Sequence, residues 1–279
     1  MIGPNRMGTS MEIVQLLIAN LLLSLALFIF LWLVNLALRD PSFIDGWWAL
    51  GMVVLAVQSF LFAGQGGKHA IALTLICAAW GIRLGSYLLW RWRSKGPDRR
   101  YVTMMAIAKT ERGWRYGVAS LLLVFAVQMP LQFIVALPVQ LGQVGPDTKL
   151  GLAAFTGIVL AVFGVVFESV GDFQLAAFKG DPSNTGKVLQ TGLWRFTRHP
   201  NYFGDVCTWW GLYLIAADHG FGVWSLPGPV LLTFLLTRWS GVPTVEGRMR
   251  RKRPDYEAYV ERTSGFIPWF PRTPSSGMH

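Results

Sequence analysis

Residues 192–204 read GLWRFTRHPNYFG and gather Arg195, Arg198, His199, Asn201 and Tyr202, with Asp205 following at once. Guanidinium groups beside an imidazole suit phosphate oxygens, because arginine forms charge-assisted, bidentate hydrogen bonds with them. Pro200 opens the apolar run that follows, and a proline in a first turn predicts a helix starting there. The free N–H groups of such a start also favour an anion. Asn201 and Asp205 are four apart and share a face of that helix. Simple capping by His199 or Asn201 accounts for one polar residue but not for the whole group.

A second cluster lies just upstream, in FESVGDFQLAAFK (residues 167–179). Glu168 and Asp172 are again four apart, and Lys179 stays near their face if the helix continues. The two acids can accept hydrogen bonds from ribose or carboxamide groups, with Lys179 on phosphate; the plainer reading is a solvated helix end. A third pair, Arg83 and Tyr87, sits in another apolar stretch. Tyr87 is a candidate hydrogen-bond donor to a substrate oxygen. It competes with a role as a belt aromatic beside Trp80, Trp90 and Trp92, and Arg83 with plain snorkelling. Gln58 is a further polar side chain in an apolar segment, and Asp45 is placed to meet an arginine or interface water. No Gly-rich dinucleotide fingerprint, phosphate-loop motif or Gly-x-Ser-x-Gly elbow is present, and the histidines at 69, 199, 219 and 279 are too scattered for a metal centre.

The elements that must position these groups are membrane helices. The chain has 279 residues, is 53% hydrophobic and has a mean hydropathy of +0.42, too apolar for an ordinary soluble domain. A spanning helix needs roughly 20 apolar residues. Seven candidates stand near 11–38, 43–64, 69–90, 116–140, 150–175, 201–224 and 227–245, the last interrupted by Arg238 and Pro243. Of 25 Lys and Arg, 19 fall in 91–115, 179–198 and 248–272, after spans three, five and seven. The positive-inside rule then places the N-terminus outside and the C-terminus in the cytoplasm. That distribution already explains the +10 formal charge, with attraction to anionic lipid, so a nucleic-acid partner is not expected. Cys77 and Cys207 fall within spans and imply no disulfide framework. The first apolar run is too long for a signal-peptide core and reads as a retained helix.

The chain reads as one membrane domain, residues 1–272, with a disordered tail at 273–279. Within 91–115, Gly96-Pro97-Asp98 is a turn signal, and a short amphipathic helix on the membrane is expected after it. The run from Lys179 to Gly186 is rich in turn formers and should not be helical. The stretch 246–272 mixes basic residues with Tyr256, Tyr259, Phe266, Trp269 and Phe270, and is expected to pack back under the bundle.

Residues 167–179, then GKVLQTGLWRFTRHPNYFGD (186–205), a last helix and a basic tail resemble the steroid 5-alpha-reductase superfamily, and within it a bacterial branch classed as a domain of unknown function. The resemblance covers roughly residues 40–272 and is strongest over 168–215. It implies a seven-helix membrane bundle with a cytoplasmic-side NADPH cavity and reduction of an enone carbon–carbon double bond. By position, Glu168 matches an asparagine of the eukaryotic reductases and Asp172 their aspartate. Lys179 takes the place of a phosphate-binding arginine, Asn201 matches the asparagine of NYFG, and Asp205 stands at a glutamate. Tyr87 matches a helix-three tyrosine that polarises the substrate carbonyl. Its usual partner is a glutamate on helix two; this chain has none there, and Gln58 is the nearest polar candidate. RHPNYFG is also shared with isoprenylcysteine carboxyl methyltransferases, which bind S-adenosylmethionine and carry paired acids after the last helix. Here Glu246 stands alone, flanked by Gly247.

The expected function is therefore NADPH-dependent reduction of a hydrophobic enone, sterol-like or isoprenoid-like, entering from the bilayer. Tyr87 and Gln58 are the expected catalytic pair. Glu168, Asp172, Lys179, Arg195, Arg198, His199, Asn201, Tyr202, Asp205 and Glu246, with Arg99 and Arg100 from the 91–115 loop, are the expected cofactor contacts. The alternatives are an S-adenosylmethionine-dependent membrane methyltransferase and a non-catalytic lipid-binding membrane protein.

Overall fold

The computed structural model describes residues 4–64, 67–145 and 148–272, with side chains from residue 10 onward. The expected tail 273–279 lies outside these. Among the described residues the chain is helical, and its only bridge-type pairing joins Thr197 to Ser264. The helices are α1 (Pro4–Leu38), α2 (Ile44–Ala63), α3 (Lys68–Lys95), α4 (Arg99–Arg112), α5 (Tyr116–Val135), α6 (Leu137–Leu141), α7 (Leu152–Gly180), α8 (Pro200–Ala217), α9 (Pro227–Phe234), α10 (Val242–Lys252) and α11 (Tyr256–Arg262). Among the described residues, six stretches are long and apolar enough to cross a membrane: Ser10–Leu38 of α1, then α2, α3, α5 and α7, and Gly220–Lys252. The protein is therefore of integral-membrane type.

The sixth expected span, 201–224, is not among them. Its helix α8 begins with polar Asn201 and Asp205, which lower its hydropathy, and stops at Ala217. Asp218 ends it by turning to other partners, accepting from the Gly151 N–H at 2.7 Å and facing His69 Nε2 at 2.8 Å. A 3-10 turn, Gly220–Ser225, leads on to α9. The interruption expected at Arg238 and Pro243 is real. A wide turn over Leu235–Trp239 gives way at Ser240–Gly241, whose N–H groups both reach the Leu235 carbonyl, and Pro243 sits in the first turn of α10. The close approach at Gly241 requires glycine, since a Cβ there would lie 2.3 Å from the Leu236 carbonyl oxygen.

Contacts divide the chain into two units. The first comprises Met1–Ile158 and Leu212–Gly228. In it α2 and α3 pack through Gly46, Gly81 and Gly85, where added Cβ atoms would strike the facing helix at 2.4–2.6 Å. Small residues allow such close crossings in lipid, where dispersion rather than water release drives helix association. Buried polar side chains are paired across helices: Asn20 with Ser59 and Gln140, Asn35 with Ser120, and Gln132 with the Trp47 and Trp48 carbonyls. A helix, α4, forms in the 91–115 stretch, where a short one was expected. Asp98 caps it by accepting from the Arg100 N–H at 2.8 Å, and buried Tyr101 holds it to an aromatic cluster with Phe43 and Phe125.

The second unit comprises Val159–Gly211 and Pro229–His279. Here α7 and α8 meet at Gly164 and Gly204, where either added Cβ would come within 2.5 Å of the other helix's backbone. The 179–186 run, expected to be non-helical, keeps Lys179 and Gly180 in the last turn of α7, and only beyond them do its turn formers act, in a 3-10 turn at Pro182–Asn184.

Candidate functional site

The end of α7, the 181–199 loop, α10 and α11 enclose a cavity of about 300 Å³ in the second unit. Its cations are Lys179, Lys187, Arg198, Arg248 and Arg253, set against the acid Asp181. His199 also lines it. Leu175, Phe178, Leu189 and Met249 supply apolar wall, and Trp194, Tyr256 and Tyr259 supply aromatic rings. Such mixed walls, apolar with a few placed polar groups, are typical of small-molecule sites.

The walls are fastened by the returning C-terminal segment. Arg198 donates through Nε to Glu246 Oε1 at 2.9 Å, and through Nη1 to the carbonyls of Thr263 (2.6 Å) and Val260 (3.2 Å). Its backbone N–H reaches the Ser264 carbonyl at 2.9 Å. Thr197 Oγ1 donates to Phe266 O, and the Tyr259 hydroxyl to Trp194 O. His199 Nε2 lies 3.1 Å from the same Glu246 Oε1. One carboxylate oxygen thus joins Arg198 and His199, both well buried, and a carboxylate acceptor fixes the proton on Nε2 of the imidazole.

Electrostatics follow from burial. Desolvation, reinforced by the nearby Glu246 charge, pushes the Tyr256 hydroxyl up to about 12, and desolvation, followed by Tyr256, raises Tyr259 as well. Both stay protonated as donors at neutral pH. The Ser183 N–H holds the Asp181 carboxyl below its ordinary range, so the acid on the wall is ionised.

The structure distributes the expected cofactor residues in layers. Lys179, Arg198 and His199 line the cavity, and Glu246 stands behind the last two. Tyr202 stacks on His199, with ring centroids 5.5 Å apart and planes 2° apart. Glu168 and Asp172 are buried on α7, and the Asn201 amide donates to Asp172 Oδ1 at 3.2 Å. Arg195 is exposed, and neither it nor Asp205 lines this cavity. Arg99 and Arg100 belong to the first unit; Arg100 is committed to Asp45 (2.6 Å) and Asp98 (3.0 Å). Tyr87, also in the first unit, stacks on Trp90 with Arg91 over its ring, and Gln58 is half-buried on α2.

Several functional candidates had no local sequence signal. Arg248, Arg253, Tyr256 and Tyr259 reach the cavity only because the tail folds back, and Lys187 comes from the 181–199 loop itself. In the first unit a carboxylate–tyrosine pair does exist, but between Asp45 and Tyr101, at 2.6 Å, with Gln128 donating to the same hydroxyl. The donor set of the cavity fits a polyanion carrying planar rings: cations for phosphates, aromatic faces for stacking and an ionised acid for hydroxyl or amine donors.

The sequence profile of a family described as "Protein of unknown function (DUF1295)" matches residues 31–263. The chain belongs to this family, which lies in the steroid 5-alpha-reductase-like superfamily. It is 24% identical over 285 residues to an uncharacterized protein of Schizosaccharomyces pombe, covering 90% of this chain and 79% of that one. A shorter likeness, 32% over 79 residues and 28% of each chain, is to a protein of Ustilaginoidea virens named "Probable O-methyltransferase ustE". No solved structure matches the chain.

Proposed function

We propose that the protein is a membrane reductase that uses NADPH to reduce the carbon–carbon double bond of a hydrophobic enone drawn from the bilayer. The observation that carries this reading is the charge of the cavity, five cationic side chains against one acid. NADPH is a polyanion carrying an aromatic adenine and a dihydronicotinamide ring, whereas S-adenosylmethionine carries a net positive charge. Coulomb attraction in a half-buried site therefore favours the nucleotide phosphates.

In this reading Lys179, Lys187, Arg248 and Arg253 hold phosphate oxygens, and Asp181 accepts from hydroxyl or amine groups. Asp172, held by Asn201, orders the adjoining turn of α7. The bound cofactor supplies a hydride. The protein supplies position and a hydrogen-bond donor for the substrate carbonyl as charge develops on its oxygen, a role assigned to Tyr87 with Gln58 in support. The topology proposed with it counts α8 as a seventh crossing. That sets the cavity and the three basic segments on the cytoplasmic side and the N-terminus outside.

A methyltransferase is the second reading, favoured by the 79-residue likeness to a protein so named. Titration of purified protein in mild detergent with NADPH and with S-adenosylmethionine separates the two. Saturable NADPH binding with no S-adenosylmethionine binding supports the reductase, and the reverse replaces it.

A further inference from the structure

The segment from Ser264 to Pro271 shows its apolar side chains outward while its backbone is tied down. Ile267 is 65% exposed, Trp269 70% and Phe270 76%, although none lies in a membrane-spanning stretch. This exposure is not fraying. The Trp269 N–H donates to Phe196 O at 2.9 Å, the Arg198 N–H to Ser264 O at 2.9 Å, and the Arg272 N–H to Arg262 O at 2.9 Å. Ser264 Oγ donates to Ile267 O, and the Phe270 ring meets Phe196 edge-on at 6.1 Å. Pro268 and Pro271 lack N–H donors and keep the strip out of a helix. The outcome is a fixed ridge of one aliphatic and two aromatic side chains.

We infer that this ridge is an interfacial anchor that inserts into the headgroup region of an anionic bilayer surface. Six stretches among the described residues are long and apolar enough to cross a membrane, so lipid is at hand. Trp and Phe flanked by arginine suit the headgroup boundary, where an apolar ring meets water and fixed charge. Charge is complementary: residues 246–272 hold seven Lys and Arg against four Asp and Glu, and basic segments are drawn to anionic lipid. The anchor is independent of which cofactor the cavity takes. It gives the strap that fastens Arg198 a second hold, through lipid as well as through its backbone hydrogen bonds.

The test uses the full chain with a spin label at Ile267→Cys, and separately at Phe270→Cys, in vesicles of phosphatidylcholine and phosphatidylglycerol. A label at Ser183→Cys, an exposed turn position, serves as the aqueous reference. Accessibility to oxygen and to a water-soluble nickel chelate reads depth. The anchor predicts an oxygen-to-nickel ratio at 267 and 270 several-fold above that at 183. Ratios equal to that at 183 overturn it. Spin–spin broadening at 267 that disappears on dilution with unlabelled protein also overturns it, in favour of a contact between two copies.

Discussion

Replacing Glu246 with alanine tests the layer behind the cavity wall. Its Oε1 accepts from Arg198 at 2.9 Å and faces His199 Nε2 at 3.1 Å. The side chains of Arg198, His199 and Glu246 are only 12%, 3% and 13% exposed. Removing one member of a buried ion pair typically costs about 3–5 kcal/mol, because the other charge is stranded. Arg198 keeps its bonds to the Val260 and Thr263 carbonyls, which offsets part of that loss. About 2–3 kcal/mol is therefore expected, a fall of roughly 4–12 °C in melting temperature on size scaling. Glu246→Gln keeps an acceptor oxygen and should lose only about 1 kcal/mol. The assay is thermal unfolding in detergent, paired with limited trypsin cleavage at Arg262, which the loosened strap should expose. If Glu246→Ala melts within about 1 °C of wild type and is cleaved no faster, Glu246 does not fasten the wall.

Asn201→Ala removes the 3.2 Å bond to Asp172 and should weaken NADPH binding by about 1–3 kcal/mol in folded protein, measured by titration. Tyr87→Phe keeps the ring on Trp90 and should lower enone turnover about 100-fold to 1000-fold with stability unchanged; wild-type turnover would remove Tyr87 from the chemistry, and the same assay on Tyr101→Phe would show whether the Asp45–Tyr101 pair carries it instead. Burial raises the Asp218 carboxyl, but hydrogen bonds from His69 and the Gly151 and Ala154 amides outweigh it and hold it below its ordinary range. A lowered carboxylate adds stability above its unfolded value of about 3.9 and loses it as pH falls through the folded value. Thermal unfolding should therefore show a loss below about pH 4 in wild type that Asp218→Asn lacks.

The helices were legible because hydropathy is a one-dimensional signal: five of the expected spans fall on α1, α2, α3, α5 and α7, and the last falls within Gly220–Lys252. The break at Ser240–Gly241 was legible in Arg238 and Pro243. The sixth expected span ran too far because Phe221 to Trp224 prolong the apolar run, while the helix ends at Ala217, where Asp218 turns to Gly151 and His69, 67 and 149 residues away. The site was legible where it is local. Lys179, Arg198 and His199 announce themselves by type and by the helix start at Pro200. Arg248, Arg253, Tyr256 and Tyr259 do not, because their place depends on bonds such as Arg198 to Thr263, 65 residues apart. The carboxylate of Glu246, expected at the cofactor, meets Arg198 and His199 of the wall. The guanidinium of Arg100, expected there too, is engaged by Asp45 and Asp98.

The most direct test of the central claim is native mass spectrometry of the protein released from mild detergent after equilibration with NADPH, alongside an Arg248→Glu, Arg253→Glu double variant. The account predicts a one-to-one NADPH adduct on wild type, no S-adenosylmethionine adduct in the parallel experiment, and loss of the NADPH adduct in the charge-reversed variant. An S-adenosylmethionine adduct with no NADPH adduct, or NADPH binding unaffected by both charge reversals, would contradict it.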